Sequence, residues 1–173
     1  MNPHFAGGPV PGSGPRQRFF NLRFAARHVG GDRDTDFLHP MFGTQDAGNV
    51  PNADTTEGNN QVRAGDLLRS LGRDPNGQII VHRMRVTQTV AQAVNRDLNV
   101  NLRRQTEGGA AGSVGTAVVL SGGVAGETDE TQGQGGVLFE RNQMMAVNYT
   151  TSGADAANFA ASNVVAELDI EVA

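Results

Sequence analysis

The side chains able to do chemistry are few and poorly grouped. Asp32, Asp34 and Asp36 alternate in the run GDRDTDF, which has the opening spacing of a calcium loop. Counted from Asp32, an EF-hand loop needs glycine at its sixth place and glutamate at its twelfth, and these places hold Phe37 and Gly43. The motif fails, which leaves a solvated loop with at most a casual surface calcium contact. His4, His28, His39 and His82 are far apart, with no pair spaced to share a metal on one helix. Neither Ser13 nor Ser121 is framed as the nucleophile of a Gly-x-Ser-x-Gly elbow. Gly109, Gly112 and Gly115 do not reproduce a dinucleotide fingerprint, and a flexible hairpin connector is their expected role. The acidic run Glu127, Asp129, Glu130 reads as a solvated face, and no two carboxylates stand out as a glycosidase pair. With aromatic residues at 5% and Tyr149 the sole tyrosine, a sugar-stacking platform is poorly supplied. The sequon Asn148-Tyr149-Thr150 falls in an expected strand and carries no weight. No catalytic, cofactor-binding or metal-binding residue is nominated, and no enzymatic activity or cofactor is expected.

Composition narrows the classes further. The 173 residues (18.2 kDa) suit one domain. Cysteine and tryptophan are absent, and all 14 basic residues are arginine. A Walker-type phosphate loop, a Schiff-base lysine, a thiol nucleophile and a zinc ribbon are therefore excluded. Net charge is -4, and the nearest approach to a basic patch is Arg16, Arg18, Arg23 and Arg27 followed by Arg83 and Arg85. Nucleic-acid affinity depends on neutralising phosphates, so no direct nucleic-acid partner is expected. The first eighteen residues lack the apolar centre of a secretory signal, and no stretch is long and apolar enough to span a bilayer. Arginine without lysine suits a GC-rich genome and points to a warm, non-saline host.

The elements that would position these side chains are strands. Residues 1–15, rich in Gly and Pro, read as a flexible arm, and residues 16–173 as a single β-sandwich domain. From Phe20 to His28 the chain alternates, with Phe20, Leu22, Phe24, Ala26 and His28 on one face. Residues 30–62 read as a long irregular stretch, functional or an interaction surface. Asp66–Leu71, closed by Gly72, offers one or two helical turns, and Asp74-Pro75-Asn76-Gly77 a tight turn. Gln78–Thr87 reads as a strand with Ile80, His82, Met84 and Val86 inward and Arg83 and Arg85 outward. Val86, Val90 and Val94 leave residues 88–96 open to a helical reading. Period two returns at Leu98–Leu102, Val114–Leu120, Gly136–Arg141, Gln143–Thr151 and Val164–Val172. Glycine-rich connectors are expected at Glu107–Gly115, Gly122–Gly126 and Gly133–Gly136. Seven or so short strands with such turns predict an all-β, antiparallel jelly-roll sandwich or barrel with long loops and at most short helices.

In length and character the chain resembles the small major capsid protein of tailless, icosahedral, membrane-containing phages of Thermus and their haloarchaeal virus relatives. The resemblance runs through the arm Met1–Pro15, the strand RFFNLRFAARHV and the closing strand NVVAELDIEV. It rests on no diagnostic motif, so no functional residue is carried over. It implies a single jelly roll in a virion shell, a second, larger capsid protein as partner, and an internal viral membrane beneath. Self-assembly would rest on repeated patches of about 800 Å² per subunit, and the amphipathic strand Val164–Val172 is a candidate for exchange with a neighbour's sheet edge. The competing expectations are a β-sandwich ligand- or carbohydrate-binding module, and an enzyme with a deep polar pocket near His28, His82 or Asp32–Asp36.

Overall fold

The computed structural model describes residues 18–41, 50–90, 92–122 and 128–173. The arm expected over 1–15, with His4 and Ser13, lies outside them, as do Arg16, residues 123–126 of one connector, and Glu127. Among the described residues nine strands form: β1 (Phe19–His28), β2 (Asp36–Met41), β3 (Val62–Arg63), β4 (Gln78–Gln88), β5 (Asp97–Gln105), β6 (Ala111–Ser121), β7 (Thr128–Glu140), β8 (Met144–Ser152) and β9 (Ser162–Val172). One α-helix, α1 (Ala64–Ser70), and two short 3-10 turns, Glu57–Asn60 and Ala156–Asn158, complete them.

All ladders between the named strands are antiparallel. The pairs nest: β1 with β9, β2 with β8, β4 with β7, β5 with β6. A long hairpin rolled on itself produces that nesting, and it is the strand order of a jelly roll, the architecture of viral capsid and lectin domains. One sheet runs β7-β4-β9-β1 and the other β2-β8-β5-β6, joined where β1 pairs with β2. The inward rows form one core, including Leu22, Phe24, Leu38, Met84, Val100, Leu120, Phe139, Val147 and Leu168. Each such side chain contributes about 1.5–3 kcal/mol by leaving water.

Several expectations change. The irregular stretch 30–62 contains β2, which its proline and its shortness had hidden, and β3, which continues beside β8 past the end of β2. Val90 and Val94 are exposed in a turn region rather than helical. In β4 the register shifts between Val81 and Arg83 against both neighbours: His82 is an extra, bulged residue against β9, whereas the extra residues against β7 lie on β7. Unbroken period two had put Ile80 and His82 inward. The bulge reverses the phase before it, so Ile79 and Val81 are buried and His82 is exposed.

The glycines of Gly133–Gly136 do not connect two strands but bulge within β7, where Gly135 and Gly136 take φ of 69° and 75°. That bulge turns Gln134 inward. Its carboxamide donates to Thr116 O (2.8 Å) and accepts from Thr116 N (3.1 Å), so one side chain serves as a ladder partner between β6 and β7. Gly115 makes room, because a Cβ there would sit 2.2 Å from Gln134 Oε1.

The closing strand is a correction of another kind. β9 lies in the sheet centre, hydrogen-bonded to β1 along one side and β4 along the other. Both of its edges are used within its own chain, so it presents none to a neighbour.

Candidate functional site

The structure brings some of the expected polar residues together and keeps others apart. His28, at the inward end of β1, is fully buried. Its Nδ1 lies 2.8 Å from Tyr149 Oη, and Tyr149 donates to Asp36 Oδ2 at 3.1 Å. A phenol has one proton, so His28 Nδ1 must be the donor to Tyr149, which leaves the neutral ring protonated on Nδ1 and bare on Nε2. Arg33 Nε stands 3.3 Å from Asp36 Oδ2. Thr151 donates to Asp32 Oδ1 at 2.9 Å and accepts from the Arg33 backbone at 2.7 Å. The chain His28–Tyr149–Asp36–Arg33 forms because β2 and β8 pair with Asp36 opposite Tyr149.

Burial, and then the Arg33 guanidinium, hold the His28 imidazole below its ordinary value, with Asp36 and the Gly31 backbone acting more weakly the other way. Burial also pushes the Tyr149 phenol up, reinforced by the Asp36 carboxylate, so it stays a neutral donor. Its aromatic neighbours close the ring off: Tyr149 and Phe159 meet His28 edge-on at 5.5 and 5.0 Å. Sequence reasoning placed His28 inward but passed over Tyr149, Arg33 and Thr151. The one available signal was that two polar residues, His28 and Tyr149, occupy inward rows of separate strands.

The remaining candidates do not join this cluster. His39 lies 2.8 Å from Asn52 O through Nε2, and His82 sits on the outer surface 2.9 Å from Glu171 Oε2. Asp34 is exposed, while Asp32 and Asp36 each serve the contacts above. Among the described residues no three His, Cys, Asp or Glu side chains are grouped to hold a metal.

The outer face of the β7-β4-β9-β1 sheet is ordered differently. β9 projects Glu167, Asp169 and Glu171, and the strands on either side project arginines in register with them. Arg23 and Arg85 both stand opposite Glu167. Arg83 bonds Asp169 at 2.6 Å and Asn21 bonds it at 3.2 Å. Arg18 and His82 both reach Glu171, at 2.5 and 2.9 Å. An acidic row is thus flanked by Arg83 and Arg85 of β4 on one side and by Asn21 and Arg23 of β1 on the other, with Phe19 61% exposed at its edge beside His82.

The other sheet's outer face is covered by its own chain. Segment 50–61 first pairs with strand backbone, Arg27 of β1 through Asn52 and Phe37 of β2 through Asp54, and its turn Glu57–Asn60 packs against β2 and β8. Glu57 then takes Arg103 in a two-point ion pair, 2.8 Å from Nε and 3.2 Å from Nη2, and the same guanidinium lies over Phe37 at 5.8 Å. Beside it Asn148 is buried. The Thr56 backbone N–H and the Asn59 amide bind Asp54 and hold its carboxyl below the usual range.

No family model and no curated protein matches the chain. Among solved structures, it is similar to a chain of infectious bursal disease virus strain Gx, with 13% identity, a TM-score of 0.41, and coverage of 88% of this chain and 31% of that one. Strain Gt gives 12% identity and a TM-score of 0.40, covering 95% and 35%. Eiger TNF from S. frugiperda gives 12% and 0.42, covering 88% and 92%. The chain thus spans about a third of the length of the viral chains it matches. The jelly-roll assignment stands on the strand pairing itself.

Proposed function

We propose that this protein is a structural capsid subunit, a single jelly roll that tiles with copies of itself in a virion shell and carries out no catalysis. The observation that carries the reading is the complete jelly roll with one charge-ordered sheet face left open, while its polar interior groups are sealed in the core. A closed shell needs a rigid block whose side chains are committed to shape and to contacts between copies, and this division supplies both. The resemblance to the small capsid proteins of membrane-containing Thermus phages supports the same reading. It adds a second, larger capsid protein and an internal membrane as companions, with no direct contact to nucleic acid.

Mass spectrometry and electron microscopy of particles from the source host test this reading. The protein is expected in many copies per particle, and the purified chain is expected to form oligomers by light scattering. A stable monomer absent from every particle fraction would overturn it.

A further inference from the structure

We propose that His28 and Phe159 form an acid-released latch, in which protonation of the buried imidazole frees the segment 153–161 from the end of the barrel. The geometry is specific. His28 is fully buried, and its Nε2 has no hydrogen-bond partner among the described residues. Nδ1 is already committed as donor to Tyr149, so an added proton can go only to Nε2. The step is simple: solvent supplies H+, the Nε2 lone pair forms the N–H bond, and nothing leaves.

The resulting cation finds no aligned acceptor for its new donor, the Gly31 backbone offering only a weak attraction that burial and Arg33 outweigh. The charged and titratable groups around it are Arg33 and Asp32 from the segment after β1, Asp36 from β2 and Tyr149 from β8. Asp36 is already engaged by Tyr149 and Arg33, and the Arg33 guanidinium repels the imidazolium. A buried N–H without an acceptor is costly, more so when charged. Hydration relieves that cost, and the weakest wall is the one made by Phe159.

Phe159 is buried, yet it follows a 3-10 turn whose Ala157 and Asn158 are exposed. Outside the strand ladders, its segment is held by Gly31 N to Phe159 O (2.8 Å), Asp155 N to Asn95 O (3.2 Å), Ala160 N to Gln92 Oε1 (2.7 Å) and Gln92 Nε2 to Ala160 O (3.2 Å). Gly31 belongs to the turn that leaves His28, so one hydrogen bond ties the turn beside the titrating group to the segment that opens. The other walls are β1 and β8, both paired along their length.

Hydrogen exchange by mass spectrometry on the intact protein tests the latch, with chemical exchange rates corrected for pH. Between about pH 7.5 and about pH 5, residues 153–161 are expected to lose roughly tenfold or more in protection while β9 keeps its own, and His28→Gln is expected to remove that pH dependence. Should His28→Gln not fold, nuclear magnetic resonance on the wild-type ring decides. His28 is then expected to titrate below the ordinary imidazole value, at the same pH at which residues 153–161 open. Equal pH dependence in wild type and His28→Gln, or opening uncoupled from the His28 titration, overturns the proposal.

Discussion

The two sheets of this jelly roll treat their outer faces in opposite ways. On β7-β4-β9-β1 the outward side chains are charged, paired in rows across three strands and open to water. On β2-β8-β5-β6 the outward positions include Phe37, Ala146 and Asn148, all buried, and the chain's own turn Glu57–Asn60 packs against β2 and β8. An ion pair left in water contributes little to stability, whereas one that pins a covering segment is partly withdrawn from solvent and contributes more. The covered face is part of the fold. The open face costs the fold almost nothing to change, which leaves it available for contacts with neighbours.

Four changes would break or sharpen that contrast. Deleting residues 164–173 removes the centre of the open-faced sheet, and no cooperative unfolding transition by circular dichroism is expected to survive. A folded truncated protein would mean that β9 is not integral to its own chain's sheet. Next, Leu168→Ala on the inward side of the same strand is expected to cost about 2–5 kcal/mol in denaturant melts, because it leaves a cavity in a close-packed core. Arg103→Ala should lower stability by about 1–2 kcal/mol and raise exchange at Asp54–Asn60, since the two-point pair with Glu57 is four-fifths buried. Unchanged exchange there would show that the cover is held by its backbone bridges alone.

The smallest effect is expected from Asp169→Asn on the open face. Its partner Arg83 is 60% exposed, so stability should move by less than about 0.5 kcal/mol. Oligomer size by light scattering should nonetheless shift if this face meets neighbouring copies. A large loss of stability with no change in association would reverse the roles assigned to the two faces.

pH adds a further distinction. The His28 imidazole is held below its ordinary value in the fold, so above about pH 6.5 it is neutral in both states and contributes no pH dependence. As pH falls below that value the unfolded chain takes the proton first, and stability declines until the folded value is passed. Denaturant melts across this range should show the decline in wild type and less of it in His28→Gln.

Much of the fold was legible in the residues. Alternation at Phe20–His28, Leu98–Leu102 and Val164–Val172 marked β1, β5 and β9, and their inward rows proved buried except at the half-buried ends Phe20 and Val172. The turn at Asp74–Gly77 and the helical turns before Gly72 were also legible, because proline, Asn-Gly and glycine act on their own backbone. The errors share one cause. Ile80 and His82 were assigned to the wrong face because a bulge arises from pairing with β7 and β9, which lie far away in the chain. β2 was missed because six residues with a proline become a strand only when β1 and β8 supply partners.

Local chemistry by itself therefore determined the class of this protein: an all-β chain without lysine or cysteine. Tertiary structure alone decided the phase of β4, the central place of β9, the Gln134 clasp and the meeting of His28 with Tyr149 and Asp36. Side-chain alternation depends on neighbours one or two residues away and can be read in one dimension. Register and buried hydrogen bonds join residues more than a hundred positions apart, and only packing in three dimensions selects among the possible partners.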